Sequence, residues 1–397
     1  AIVVGAGLAG AAVARALARA GLEVTVVDRQ PVPAAEASGN PAGLFHGTLH
    51  PDDGPHARLF RAAALQAAQV YRAAVAAGVP GAVSGLLRLD QRAGGADAMR
   101  ALLASSGLPG AYVDVLDAAE ASRRAGVALP APAWWYPEGG WLSPADWVRH
   151  ALAAPGVRLL AGRAVVSLQR AGARWRVADA DGAVIADADA VVLANAGGAQ
   201  ALLATAGAAG SAWPLRHTRG QVTWWPCSTP LRLPVAGDGY ALPLPGALLC
   251  GATREPQEPG ESAANEPDRD ADHRHNLQRL QRLTGLAPPD VSTPLRGRVA
   301  WRCHSDDRLP IAGALPTFAL PAGQRLEQAR RVPREPGLFA LTALGARGLT
   351  LAPLLGELVA AMATGAPWPL EQDLADAVDP ARWLVRAARA GAAATAG

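Results

Sequence analysis

The sequence predicts an α/β fold that opens with a parallel sheet. Residues 1–4 form a short apolar run, residues 8–20 form an Ala-rich helical segment ended by Gly21, and Val-rich residues 23–27 are predicted to form a second strand. Such a strand–helix–strand unit places its two strands side by side and parallel, because the helical crossover returns the chain to the same end of the sheet. The opening of the chain is therefore the first unit of a layered α/β domain.

Further strands are expected later in the chain. Residues 189–193 and 338–344 are predicted to be buried strands because they are rich in apolar residues, and residues 348–364 form a long apolar helix. Residues 163–169 and 174–178 predict a hairpin, because two strand-like runs flank a short Gly-containing connection. Strands of both kinds, parallel and antiparallel, are therefore expected in one chain.

Composition bounds the class of protein. Half of the 397 residues are hydrophobic and 18% are charged, a balance typical of a folded globular chain. The apolar stretches are interrupted by Arg, Gly or Pro, so we expect no membrane-spanning helix, and with no signal peptide before the first strand we expect a cytoplasmic protein. Cys227, Cys250 and Cys303 lie far apart and the His residues lack ligand spacing, so we predict no metal site.

The turn after the first strand has the spacing GxGxxG. Gly5 permits the tight turn, Gly7 lets a diphosphate approach the backbone, and Gly10 lets the helix pack closely on the strand. The helix then offers free N–H groups and the positive end of its dipole to the phosphates. Alone this spacing is weak, but here strand, turn, helix and second strand follow in order.

Asp28 ends the second strand, where its carboxylate can accept hydrogen bonds from an adenosine ribose. A carboxylate at this position disfavours a 2′-phosphate, so NADP is not expected. The turn does not by itself separate NAD from FAD.

Four segments resemble the D-amino-acid-oxidase-like flavoprotein family, which includes glycine and sarcosine oxidases. They are GAGLAG at 5–10, GGWLSPADWVRHAL at 139–152, VVLANAGG at 191–198 and LGARGLTLAPLLGELVA at 344–360. The resemblance spans the whole chain and implies a Rossmann-like FAD-binding domain with an interleaved antiparallel-sheet substrate domain. It implies FAD as cofactor, which we expect to be non-covalent because no Cys lies near the last turn in the sequence.

Other segments are similar to one branch of that family, the oxidoreductase domain of a bifunctional enzyme that makes 5-methylaminomethyl-2-thiouridine at the tRNA wobble position. They are residues 37–53, 219–226, 301–313, 345–350 and 369–383. This resemblance implies removal of the carboxymethyl group from 5-carboxymethylaminomethyl-(2-thio)uridine, giving aminomethyl-uridine and glyoxylate. It implies two partners, a tRNA bearing that nucleoside and a fused or separate methyltransferase domain.

The resemblance also implies the domain boundaries. The FAD-binding domain would be discontinuous, over residues 1–80, 143–215 and 336–390, and the substrate domain would cover residues 81–142 and 216–335.

The resemblance assigns cofactor contacts residue by residue. The glycine turn and Asp28 would hold the ADP half, and small residues elsewhere would let backbone approach the cofactor closely. The turn before the last helix would lie at the flavin pyrimidine, where a helix N-terminus stabilises the negative charge of the reduced ring. The implied contacts are Gly5, Gly7, Gly10, Asp28, Ser38, Gly39, Asn40, Gly43, Val165, Ala194, Gly197, Gly345, Gly348, Leu349 and Thr350.

Three residues are implied to face the substrate. Arg302 would hold the substrate carboxylate, because a planar guanidinium binds a carboxylate bidentately. Tyr240 would present its hydroxyl to the same group, and Arg347 would add positive charge near the flavin or substrate. Strand alternation cannot decide whether Arg302 faces a site or solvent, and a half-buried strand position is an equally good interpretation of Tyr240.

A tRNA substrate would need phosphate contacts and a surface for the extruded base. All basic residues are Arg and the net charge is only +3. For each candidate Arg a solvated surface charge is the simpler interpretation, and for each candidate Trp it is packing within a strand. The candidates are Arg325, Arg330, Arg331 and Arg334, then Arg274, Arg279 and Arg282, and for stacking Trp134, Trp135, Trp224 and Trp225.

Two other functions stay open from the sequence. One is a small-molecule amine oxidase that acts on glycine, sarcosine or a D-amino acid. The other is a flavin-containing tRNA-binding module without turnover.

Overall fold

The chain forms two compact units in a computed structural model. The structure describes residues 1–91, 94–208, 213–257, 266–320 and 326–395, with side chains described as far as residue 390. Unit 1 comprises residues 1–39, 145–217 and 302–397, and unit 2 comprises residues 40–144 and 218–301.

The secondary structure alternates helices with many short strands. In chain order the helices are α1 (Leu8–Arg19), α2 (Pro55–Ala76), α3 (Gly95–Ser106), α4 (Ala118–Ala125), α5 (Pro144–Leu152), α6 (Gly198–Thr205), α7 (Asp270–Thr284), α8 (Gly348–Thr364), α9 (Gln372–Val378) and α10 (Arg382–Thr395). Short 3-10 turns cover Ala329–Arg331 and Gly345–Arg347.

The strands are distributed over both units. The strands are β1 (Ile2–Val4), β2 (Val24–Val27), β3 (Gly43–Phe45), β4 (Gly81–Ala82), β5 (Leu86–Leu89), β6 (Asp114–Leu116), β7 (Ala133–Tyr136), β8 (Gly140–Leu142), β9 (Val157–Leu160), β10 (Ser167–Ala171), β11 (Arg174–Ala178), β12 (Val184–Ala188), β13 (Val191–Leu193), β14 (Leu215–Pro226), β15 (Val235–Gly237), β16 (Gly239–Leu244), β17 (Ala247–Gly251), β18 (Glu255–Pro256), β19 (Arg296–Ser305), β20 (Ile311–Pro316) and β21 (Arg334–Thr342).

Unit 1 is built on a six-stranded sheet in the order β20-β21-β13-β1-β2-β9. Its strands run parallel except β20, which is antiparallel to β21. Every residue of β1 and β13 is buried. Continuous apolar runs such as IVV and VVL suit this position, because a central parallel strand is covered on both faces. The predicted parallel sheet is confirmed, as is the β10–β11 hairpin, which is extended by β12.

Helices α1 and α8 pack against each other in unit 1. A Cβ added at Gly356 would lie 2.8 Å from the carbonyl carbon of Ala12, so the glycine is what lets the two helices approach. Arg19 Nη1 and Glu357 Oε1 form an ion pair at 2.9 Å at the edge of this contact. The two helices therefore form one layer of unit 1.

One stretch differs from the expectation that no segment is apolar enough to span a membrane. Gly345–Thr364 has the length and composition of a membrane-spanning helix, and 67% of its most apolar window is buried inside the protein. Helix α8 buries residues on all sides, from Leu349 to Ala361. A core position accounts for its hydropathy.

Unit 2 is built on a nine-stranded sheet in the order β18-β14-β17-β16-β15-β5-β7-β6, with β19 paired to β14. A small sheet in the order β3-β8-β4 accompanies it. Helix α7 seals one face of the large sheet, where Trp225, Leu248 and Cys250 pack with Leu280 and Leu283.

The two units differ in their bounds from the domains expected from the sequence. Residues 302–335 belong to unit 1, because they include β20, which pairs with β21 in its sheet. Residues 40–80 belong to unit 2, because β3 pairs with β8 in its small sheet. Strand pairing of these short segments is non-local and leaves no mark in their composition.

Candidate cofactor site

The carboxyl ends of neighbouring parallel strands in unit 1 carry most of the residues predicted to bind a dinucleotide. The order β21-β13-β1-β2 brings together the segments that begin at Ala343, Ala194, Gly5 and Asp28. In doubly wound α/β sheets, ligands bind in the crevice at this edge. Residues spread over more than 300 positions of sequence therefore share one edge.

Close contacts between backbone segments require glycine at two positions of the turn before α1. Gly5 has φ +106°, and a Cβ there would lie 2.6 Å from the Ala194 carbonyl oxygen. A Cβ at Gly10 would lie only 1.8 Å from the Gly5 carbonyl oxygen. A Cβ at Gly7 would lie 3.0 Å from Ser38 Oγ. Larger residues at Gly5 and Gly10 would displace backbone, so the turn specifies glycine.

Two side chains brace this turn. Asp28 Oδ2 accepts a hydrogen bond from the Ala6 amide at 2.5 Å, and Asp28 Oδ1 accepts one from the Gln30 amide at 2.7 Å. Ser38 Oγ accepts a hydrogen bond from the Leu8 amide at 3.0 Å. An ionised carboxylate has about four acceptor sites, so Asp28 can hold the turn and still accept from a ribose. Sequence reasoning found Asp28 but not its bracing role.

The other loop residues after β2 are divided between the units. Gly39 ends the first segment of unit 1, whereas Asn40 and Gly43 belong to unit 2. Gly43 opens β3, and Asn40 Oδ1 is buried without a hydrogen-bond partner. Their contact with a flavin remains a prediction.

The segment after β13 follows the predicted pattern in part. Ala194 is buried, and a Cβ at Gly197 would lie 2.4 Å from Nε2 of His217, so a larger residue at Gly197 would displace that imidazole. Val165 is half-buried against the core of unit 1, but it lies before the hairpin, which begins at Ser167 and not at the predicted residue 163. Asn195, which sequence reasoning missed, has its Oδ1 buried without a partner.

The last turn leads into α8 as expected. Gly345 has φ +56°, and α8 begins at Gly348 without a side-chain cap. Leu349 and Thr350 are buried, and Thr350 Oγ1 has no hydrogen-bond partner. A Cβ at Gly348 would lie 3.0 Å from Leu8 Cδ1, so the N-termini of α1 and α8 lie side by side.

These features fit a flavin dinucleotide. Buried polar atoms are nearly always hydrogen-bonded, so Asn195 Oδ1 and Thr350 Oγ1 indicate a ligand that supplies the partners. Two adjacent helix N-termini, of α1 and α8, suit a diphosphate and a second group that gains negative charge. Among the described residues, no group of His, Cys, Asp and Glu could hold a metal ion.

The direction of the Arg302 side chain can be inferred from the burial of its neighbour Cys303 on β19. Burial raises the pKa of the Cys303 thiol to about 12, and this thiol lies at the backbone of Ala343 in the interior of unit 1. Because neighbouring strand residues point to opposite faces, Arg302 and His304 point away from that interior. His304 pairs with Leu344, directly before the turn at Gly345. Arg302 therefore lies two residues along the strand from the turn that opens α8.

Cys303 also bears on the attachment of the cofactor. The sequence places no Cys near the last turn, whereas the structure places this thiol beside Ala343. With its pKa raised, the thiol stays protonated at neutral pH and is a poor nucleophile. Non-covalent binding remains the prediction.

The remaining predicted substrate residues occupy different places. Arg347 is half-buried at the N-cap of α8. Tyr240 lies on β16 of unit 2, where its hydroxyl lies 3.5 Å from the position of a Cβ at Gly251. It is half-buried, as the simpler interpretation had it.

The proposed basic surface is largely neutralised. Arg330 pairs with Asp376 at 3.1 Å, and Arg334 binds Asp379 through two hydrogen bonds. Arg279 lies 3.1 Å from Asp238, which Arg282 also approaches at 3.8 Å. Intramolecular carboxylates partly offset these charges, and contact of these arginines with phosphate remains a prediction. Arg325 lies outside the described residues, whereas Arg274 is exposed.

The fold and this site define a dinucleotide-binding protein of the doubly wound α/β class. The family described as FAD dependent oxidoreductase (DAO) matches residues 1–362, and the chain belongs to this family. Its cofactor is FAD, and the predicted fold class is confirmed.

Solved structures agree with this assignment of the fold. Glycine oxidase from Geobacillus kaustophilus superimposes with a TM-score of 0.74 at 22% identity, over 96% of this chain and 98% of that chain. Iminodiacetate oxidase from Chelativorans sp. BNC1 gives 0.70 at 24% identity, over 93% and 96% of the chains.

Curated relatives are more similar in sequence. The tRNA 5-methylaminomethyl-2-thiouridine biosynthesis bifunctional protein MnmC of Methylibium petroleiphilum is 47% identical over 97% of this chain. The protein of the same name from Paraburkholderia phytofirmans is 40% identical over 99% of this chain. The chain spans 60% and 61% of the lengths of these two relatives.

Proposed function

We propose that this chain removes the carboxymethyl group from 5-carboxymethylaminomethyl-(2-thio)uridine at the tRNA wobble position, giving aminomethyl-uridine and glyoxylate. The observation that carries the proposal is 47% identity, over nearly the whole chain, to a relative named for this wobble modification. The cofactor edge of unit 1 supports it, because an oxidation at carbon next to nitrogen needs an electron acceptor such as FAD.

The residues of this chain have defined roles in the proposal. The α1 turn and Asp28 would hold the ADP half of FAD, and the N-terminus of α8 with Thr350 would stabilise negative charge on the reduced ring. Arg302 holds the glycine-like carboxylate of the substrate and so directs the adjacent methylene. Tyr240 donates its hydroxyl to the same carboxylate, and Arg347 adds positive charge at the start of α8.

The chemistry that bound FAD supplies is acceptance of a hydride from this methylene, after which water hydrolyses the substrate imine to glyoxylate and the amine. No protein nucleophile is required. The partners we propose are tRNA and a fused or separate methyltransferase domain, and a tRNA substrate places the reaction in the cytoplasm.

A second candidate is oxidation of a small amine such as glycine or sarcosine. The similarity of the fold to glycine oxidase and iminodiacetate oxidase favours it. Both candidates need a carboxylate-binding Arg, so this residue does not separate them.

Mass spectrometry of wobble nucleosides tests the proposal. After incubation with tRNA that carries carboxymethylaminomethyl-uridine, we expect this nucleoside to decrease and aminomethyl-uridine to increase with equimolar glyoxylate. Turnover of sarcosine or glycine but not of this tRNA would establish the second candidate instead. Flavin that stays oxidised with every substrate under anaerobic conditions would point to a binding module without turnover.

A further inference from the structure

The four Trp residues considered for base stacking have different surroundings in unit 2. Trp134 and Trp225 are buried, with 5% and 4% of their surfaces exposed. Trp135 packs against the core below α7 and lies under the guanidinium of Arg124, 4.9 Å from its ring centre. Trp224 is half-buried on the opposite face of the sheet.

Strand pairing places Trp224 and Tyr240 on the same face. Trp224 pairs with Leu249, which pairs with Leu242, whereas Tyr240 pairs with Gly251 in the adjacent row on this face. Directly paired residues share a face, and so do residues two apart along a strand. The face covered by α7 carries Trp225, so the two adjacent Trp residues lie on opposite faces of the sheet.

The face that carries Trp224 has a polar and an apolar part. The Tyr240 hydroxyl lies over Gly251, where the missing side chain leaves room for it. One row further, about 7 Å along the strands, half-buried Trp224 packs beside Leu242 and Leu249. Trp141, which is 8% exposed, packs in the same apolar cluster as Leu242 and Leu249.

We propose that the indole of Trp224 stacks on the uracil ring of the substrate and is a specificity-determining residue. The inference rests on the proposed function, since only that substrate joins a carboxylate through a short amine linker to a flat base. An extruded base is held in proteins by stacking on aromatic side chains. Glycine and sarcosine have no ring to occupy Trp224, so they gain nothing from it.

Two variants test this inference. Trp224→Leu keeps apolar volume but removes the flat aromatic surface, and Trp224→Phe keeps a smaller one. The control is Trp368→Leu, which removes an exposed indole, 41% accessible, from unit 1. Flavin absorbance and the thermal unfolding midpoint report whether each variant is folded. Steady-state kinetics then compare an anticodon stem-loop bearing carboxymethylaminomethyl-uridine with N-methylglycine.

We expect Trp224→Leu to raise KM for the stem-loop about 10-fold or more and to change kcat less than about 2-fold, because stacking holds the base equally before and during reaction. Trp224→Phe should lie between wild type and Trp224→Leu. Rates with N-methylglycine should stay within about 2-fold of wild type, as should both substrates with Trp368→Leu.

Equal losses on both substrates in Trp224→Leu would show a structural role, and unchanged KM for the stem-loop would also overturn the inference. If wild type reacts with N-methylglycine but not with the stem-loop, the proposed function itself is wrong and the inference falls with it.

Discussion

At the scale of single residues, the proposed role of Arg302 as the ligand of the substrate carboxylate can be tested by substitution. Arg302→Ala should lower kcat/KM for the carboxylate-bearing substrate roughly 100-fold, because a bidentate charge-assisted contact is lost. Arg302→Lys should restore only part of it, since an ammonium lacks the planar fork. Stopped-flow flavin reduction measures this, with Arg158→Ala, an exposed strand arginine, as control. Unchanged turnover in Arg302→Ala with FAD still bound would reject the carboxylate role.

Gly10 provides a second prediction at this scale. Its Cβ position lies 1.8 Å from the Gly5 carbonyl oxygen, so Gly10→Ala must displace the start of α1. We expect FAD binding to weaken more than 10-fold, because the amides that meet the diphosphate move. Fluorescence titration with FAD measures the dissociation constant. Gly110→Ala, where a Cβ meets nothing within 4 Å, should bind FAD normally.

At the scale of elements, an ionic contact fastens α10 to the turn after β19. Arg382, 4% exposed, binds Asp307 through Nε at 2.9 Å and Nη2 at 3.0 Å, and Arg386 and Ser305 contact the same carboxylate. Burial alone would raise the pKa of Asp307, but these partners, Arg382 foremost, outweigh it and hold the pKa well below its usual range.

The sign of the pH effect follows from this depressed pKa. Stabilisation by Asp307 is complete above the pKa of an unfolded Asp, about 4, and is lost as the pH falls from there toward the lower folded value. Asp307→Asn should therefore destabilise by roughly 3 kcal/mol at neutral pH, and this difference should shrink below about pH 4. Urea unfolding at several pH values measures it. A difference that is independent of pH down to pH 2 would contradict the ionic account.

The matched control for that experiment is an exposed pair. Arg176 and Asp187 lie 2.9 Å apart on β11 and β12, with solvent access to both side chains. Asp187→Asn should hardly change the urea midpoint, because solvent screens an exposed ion pair.

At the scale of the whole molecule, FAD should stabilise the chain by mass action. At about 100 times its dissociation constant, a ligand of the folded state adds about 2.7 kcal/mol to the free energy of unfolding. Because the turn before α1 is assigned to the ADP half, ADP alone should also raise the midpoint of thermal unfolding, and FMN should raise it less than FAD. Scanning calorimetry measures all three. Equal effects of FMN and FAD would contradict the assignment of the α1 turn.

How far the site could be predicted differs along the chain. The GxGxxG turn and Asp28 were identified from local sequence, because the strand, turn and helix that define them are contiguous. The sequence does not predict the buried, unpartnered Oδ1 of Asn195 or the position of the Cys303 thiol beside Ala343. Each of these groups acquires its surroundings from a strand that is distant in sequence. The ion pairs of Arg330 and Arg334 could not be predicted from the sequence, because their partners Asp376 and Asp379 lie more than 40 residues away.

The sequence by itself determined the α/β class, the dinucleotide turn and the resemblance to FAD-dependent oxidoreductases. These depend on short-range sequence patterns and on positions where close backbone contacts require glycine. Only the tertiary structure decided that β20 joins the six-stranded sheet of unit 1, that Cys303 next to Arg302 is buried, and which Trp shares a face with Tyr240. The physical reason is that sheets are formed by pairing between distant strands. Which face of a strand is covered depends on the element that packs there, and no local pattern states it.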